Sequence, residues 1–180
     1  MITRSLSRGA ALAVCAGLML SGCGLFDREV KPPCPRVGIL GDAATMTQFR
    51  SGAGRDLTDV EFEAEIIGFT GGCEFGDRNT KVVVTVNVEI VALRGPAAKG
   101  DSITVPFFVA ITDRDERILA RETFASKIDF PSGRRRAGVA EEMEQKIPLA
   151  AGRRSSDVEI LIGFQLGQAQ LEYNRQKRGF

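Results

Sequence analysis

The chain has 180 residues, with 24 Lys and Arg against 23 Asp and Glu, no His, no Trp and one Tyr. The lack of histidine excludes Ser-His-Asp and Cys-His nucleophilic sites, histidine zinc sites and histidine acid–base catalysis. The near-neutral balance argues against nucleic acid as a partner, because phosphate binding needs a basic face.

Residues 1–22 carry Arg4 and Arg8, no acidic residue, and a nearly continuous apolar run from Ala10 to Leu20. A positive start, an apolar middle and small residues at a cut are the layout of an export signal. About 11 apolar residues make a helix of roughly 16 Å, too short for about 30 Å of bilayer hydrocarbon. The run ends in Leu20-Ser21-Gly22-Cys23. Here the chain resembles bacterial lipoproteins with a type II signal peptide, whose lipobox is Leu, two small residues and Cys. The resemblance implies a diacylglycerol on the Cys23 sulfur, cleavage before Cys23, and acylation (palmitate) of the new amino group. An ordinary cleaved signal and a core helix containing a cysteine are the alternatives. Two or three acyl chains, at about 0.8 kcal/mol per buried methylene, would hold the protein on a membrane stably. Gly24, where the family's inner-membrane retention signal has Asp, points to the periplasmic face of the outer membrane.

A mature chain beginning at Cys23 keeps 22 basic residues (24 less Arg4 and Arg8) against 23 acidic ones. Of four cysteines, Cys15 leaves with the signal and Cys23 is the lipid site, so Cys34 and Cys73 remain as a pair in an oxidising compartment. A disulfide is the expectation; two buried thiols or a reactive site are the alternatives. No third residue stands in a metal spacing with them, and no cofactor motif occurs. Residues 23–35 are read as lipidated Cys and Pro-rich tether, at most about 40 Å long from Gly24 to Pro35.

From Arg36 the pattern has period two, which predicts strands. Val37–Leu40 is the first; Asp42–Arg50 suits a short strand or an irregular turn. Val60–Thr70 alternates apolar and acidic residues, and Gly71-Gly72 and Gly76–Asn79 read as turns. Lys81–Leu93 is the longest candidate. Ile103–Asp113 contains Pro106, which fits an edge or a bulge. Ile118–Phe130 follows the Asp113–Glu116 turn. Val139–Ile147 suits strand or helix and is taken as strand beside its neighbours. Val158–Leu166 is strong, and Leu171–Asn174 is read as a short last strand or turn.

Seven or eight strands predict an all-β fold, an antiparallel β-sandwich over residues 36–175 with a polar tail at 176–180. The stretch from Pro148 to Leu166 resembles the loop and penultimate strand of immunoglobulin and fibronectin type III domains, a resemblance of architecture. The chain also resembles small bacterial envelope lipoproteins of this size, from which no activity carries over.

Candidate chemistry is sparse. Glu61, Glu63 and Glu65 share a strand face about 7 Å apart, a solvated face before it is a cation site. Asp113, Asp115 and Glu116 lack the Gly and terminal Glu of a calcium loop. Arg134, Arg135, Arg136, Arg153 and Arg154 form two candidate basic contact loops, about 30 Å apart at the ends of one strand. They would meet anionic head groups, a glycan phosphate or an acidic partner. The expectation is a non-enzymatic envelope lipoprotein, acting as an interaction or assembly module for another envelope protein and held by membrane lipid through acylated Cys23. The alternatives are a ligand-binding lipoprotein for an apolar or anionic envelope molecule, and an enzyme using carboxylates such as Glu61 or Asp113.

Overall fold

Period-two alternation becomes eight strands in the structure, a computed structural model that describes residues 32–52, 54–76, 78–149 and 152–178. The leader, Cys23 and the tether up to Lys31 lie outside them, so the expectations for those residues do too. The strands are β1 (Arg36–Ile39), β2 (Thr45–Phe49), β3 (Val60–Gly76), β4 (Lys81–Arg94), β5 (Ser102–Asp113), β6 (Ile118–Asp129), β7 (Arg136–Pro148) and β8 (Val158–Phe164). They form two four-stranded sheets, ordered β1-β8-β5-β6 and β2-β3-β4-β7. Every pairing is antiparallel except β1 with β8. The fold is an antiparallel β-sandwich. Its likeness to immunoglobulin domains is one of architecture, since β8 pairs with β5 and not with the strand before it.

The core lies between the sheets. Val82, Val84, Val86, Val88, Ile90 and Ala92, alternate residues of β4, are all buried, facing Ile103, Val105, Phe107, Val109 and Ile111 of β5 across one apolar cluster. Each such Val or Ile stabilises the fold by about 1.5–3 kcal/mol. Val139–Ile147 is strand, as expected: β7 lies beside β4 over its whole length, and helix propensity yields to that ladder.

Three expectations are corrected. Gly71-Gly72 is no turn: β3 runs through both, and Gly71 opposes Val86. A Cβ on Gly71 would sit 2.2 Å from the Thr85 carbonyl oxygen, so glycine marks a close backbone approach inside the strand. The reversal comes after Gly76, where Arg78 and Asn79 take positive φ of 55° and 66°. Pro106 lies in a central strand, not at an edge or bulge. It stands one residue outside the β8 ladder, and its carbonyl accepts from Gln165 N. Its nitrogen therefore faces a position where no ladder hydrogen bond is owed.

The third correction concerns the C-terminus. Leu171–Asn174 belongs to a helix, α1 (Gln168–Arg178), which also takes in residues 176–178 of the expected polar tail. Gln, Ala, Leu, Glu, Arg and Lys are strong helix formers. Gln170 Oε1 reaches back to accept from the Gly167 N–H at 3.1 Å, half of a capping box. The helix docks on the chain between β1 and β2. Buried Asn174 donates from Nδ2 to the carbonyls of Asp42 (2.9 Å) and Thr45 (2.8 Å). Arg175 pairs with Asp42, Lys177 with Glu63, and Tyr173 meets Phe49 edge to face.

Cys34 and Cys73 form a disulfide, with Cα atoms 5.7 Å apart and a sequence separation of 39. It fastens the chain just before β1 to the far half of β3, in the opposite sheet. Beside it the buried Ser155 hydroxyl donates to the Pro33 carbonyl at 2.6 Å. Closing a loop of this length stabilises by about 4 kcal/mol in the chain-entropy model. The Cys34→Ser, Cys73→Ser double variant should lose about that much, read as a lower urea midpoint. Asn174→Ala should cost about 1–3 kcal/mol in the same assay, because the Asp42 and Thr45 carbonyls lose their donor.

Candidate functional site

A sandwich of open sheets has rims where strands expose unpaired N–H and C=O groups, and proteins block such rims explicitly. The rim of β2 is covered by α1: besides the Asn174 contact with Thr45, Gln170 Nε2 donates to the Thr47 carbonyl at 3.3 Å. The rim of β1 is four residues long and begins with exposed Arg36. The rims of β6 and β7 carry carboxylates on the core side. Glu122 opposes the inward Val109, and Glu141 opposes the inward Val88. Across the gap between the sheets, the Ser126 hydroxyl donates to Glu141, and Gln145 Nε2 donates to Glu122 at 3.4 Å. Ser126 and Gln145 are both buried. A strand added here would bury those charges further, which is costly.

Among the described residues, one rim has none of these devices. β2 pairs with β3 only as far as Glu65, with one further bond from Ile66 N to the Ala44 carbonyl. From Gly68 to Gly76, among the described residues, β3 is paired with β4 alone. This nine-residue edge holds no Lys, Arg or Pro and a single acid, Glu74. Phe69 opposes the inward Val88 yet is 38% exposed. Cys73 and Phe75 on the same face are half-buried against the core. The apolar interior therefore comes to the surface along an edge whose outer backbone groups have no strand partner among the described residues. Sequence reading lost this edge by placing a turn at Gly71-Gly72. The signal was the length of β4: a 14-residue strand joined by a tight hairpin needs a partner of similar length.

The residues singled out from sequence do not gather in one place. Register puts Arg136 beside Leu93 at one end of the sandwich. Arg153 and Arg154 lie at the other, between Pro148 at the end of β7 and Val158 at the start of β8, the end that Cys34 shares. Arg135 donates to the Arg94 carbonyl, and Arg154 pairs with Asp157. Glu61 accepts from Gln48 Nε2 at 3.1 Å, and Glu63 pairs with Lys177. Glu61 lies at the start of β3, whereas Asp113 ends β5 beside Val158, at the end where Cys34 meets the far half of β3, so the two stand at opposite ends. Among the described residues no three Cys, Asp or Glu gather into a metal-holding group, and no helix is long and apolar enough to cross a membrane. Two shallow grooves share Glu63 and Leu93: one is lined by Ile67, Val91 and Arg136, the other by Leu57, Pro96 and Arg135.

No protein-family model, curated protein or solved structure matches the chain.

The Asp113 turn is structural. Its carboxylate accepts from the backbone N–H groups of Asp115 and Arg117 and from Arg117 Nε at 2.8 Å. The Arg117 side-chain bond holds the Asp113 carboxyl below its ordinary range. Asp157 is held low first by the Arg154 backbone N–H, then by the Arg114 and Arg154 charges. A carboxylate with a depressed folded pKa contributes stability present above its unfolded pKa and lost as pH falls through the folded one. Stability should therefore drop below about pH 4. Asp113→Asn should flatten that acid limb and leave the limb above pH 5 unchanged in slope, as measured by urea unfolding across pH.

Proposed function

We propose that this chain is a bacterial envelope lipoprotein, acylated at Cys23 and held at the periplasmic face of the outer membrane. Its β-sandwich is a non-enzymatic interaction or assembly module for an envelope protein. The lipobox Leu20-Ser21-Gly22-Cys23 supports the address. The disulfide and the Ser155–Pro33 bond support a short, firmly seated anchor, since they lock the body 11 residues after Cys23. The observation that carries the interaction reading is the open β3 edge from Gly68 to Gly76, beside rims that are covered, short or charged. An edge of this kind binds by strand addition: main-chain hydrogen bonds supply affinity, and alternate side chains supply selectivity.

Two measurements test this reading. The intact mass of the native polypeptide should correspond to a chain starting at an acylated Cys23; a free thiol there, or a retained Met1, overturns the address. A photo-crosslinking residue at Thr70, on the open edge, should trap an envelope protein in cells, whereas the same residue at Thr123, on the β6 rim, should trap none. The reverse pattern overturns the assignment of the edge.

A further inference from the structure

We propose that the partner on the β3 edge is a second copy of this chain, paired antiparallel about a two-fold axis through Gly72. The inference rests on reading that edge as the interaction edge, and it names the occupant from the edge's own sequence. Residues 68–76 read Gly-Phe-Thr-Gly-Gly-Cys-Glu-Phe-Gly. About Gly72 the outer pairs of the series are symmetric: Gly68 matches Gly76 and Phe69 matches Phe75, while the inner pairs set Thr70 against Glu74 and Gly71 against Cys73. A two-fold interface needs such self-complementarity, because each residue must suit the one that the axis sets opposite it.

In this register each Phe69 lies opposite Phe75 of the other copy. Cross-strand aromatic pairs stabilise sheets, and both residues lie on the core face, where Phe69 is 38% exposed and Phe75 half-buried. Each Glu74 faces a Thr70, so the one acid of the edge does not meet itself. Gly72 opposes Gly72 at the axis. It pairs with Thr85 on the outer face, and a Cβ there would meet nothing within 4 Å. The two β2-β3-β4-β7 sheets would join into one sheet of eight strands, and Gly68–Gly76 would no longer be an edge.

The disulfide fits the same geometry. Cys73 stands one residue from the axis, and the Cα of Cys34 is 5.7 Å from that of Cys73. The two Cys34 residues then fall within about 20 Å of each other, given 3.4 Å per residue along a strand and about 5 Å between strands. Both chains then enter their folded bodies side by side at Cys34.

Native mass spectrometry of the full acylated protein, released from detergent in the gas phase, tests the pairing. The unaltered protein should appear as a dimer. Gly72→Lys sets like charges directly opposite at the axis and should weaken association by about fivefold or more, as should Gly72→Glu. An equimolar mixture of the two variants should recover a heterodimer, which also shows that both fold. A dimer that survives Gly72→Lys unchanged, or a mixture that fails to associate, overturns the pairing. An unaltered protein that stays monomeric while Thr70 crosslinks to a different polypeptide overturns self-association and leaves the interaction edge standing. A monomer with no crosslink at Thr70 removes both.

Discussion

Backbone hydrogen bonding at the rims governs this structure more than any side-chain cluster does. Two sheets laid face to face satisfy their interior strands completely, but the outermost strands keep a row of donors and acceptors with no partner in the sheet. Each rim is handled differently. Asn174 and Gln170, on α1, donate to the carbonyls of β2. Glu122 and Glu141 place charge on the core side of β6 and β7, each with one neutral partner. The first strand is kept short. Among the described residues the second half of β3 has no such device, and its contrast with the other rims gives it meaning.

The joint at Cys34 shapes the same edge. A covalent bridge from the segment before β1 to β3 joins the two sheets on the side opposite the charged β6 and β7 rims, beyond the stretch of rim that α1 covers. Ser155 adds a buried hydrogen bond from the turn before β8 to the same segment. Strand β1 then enters parallel to β8, with Val37 and Ile39 laid against the core. Without that fastening, a four-residue parallel strand would have little to hold it, since parallel pairing is the weaker per residue.

Carboxylates show how position changes meaning. Glu61, Glu63 and Glu65 share a face, yet Gln48 engages Glu61, Lys177 engages Glu63 and Glu65 is exposed to water. Asp113 serves its own turn through Arg117. The acids with an uncommon setting are Glu122 and Glu141, which nothing in their local sequence distinguishes. Each reaches the core side of its strand only because the ladder register places it opposite a buried valine.

Alternation along β4, β5 and β8 was legible from residues alone, because a half-buried strand must alternate whatever lies beside it. The sandwich class followed from that alternation and the Cys34–Cys73 pair from cysteine number, whereas Val139–Ile147, whose spacing suits strand and helix alike, was strand only by the company of its neighbours. Three features depended on neighbours distant in sequence. Gly71-Gly72 stays extended because β4 is long enough to need a partner there. Pro106 is tolerated in a central strand because β8 stops one residue short of it. Gln168–Arg178 folds as a helix where Asn174 and Gln170 can meet the rim of β2. Local sequence determines which residues seek burial and which turns are easy. Only tertiary pairing decides where each ladder ends, and therefore which backbone groups are left over for another chain.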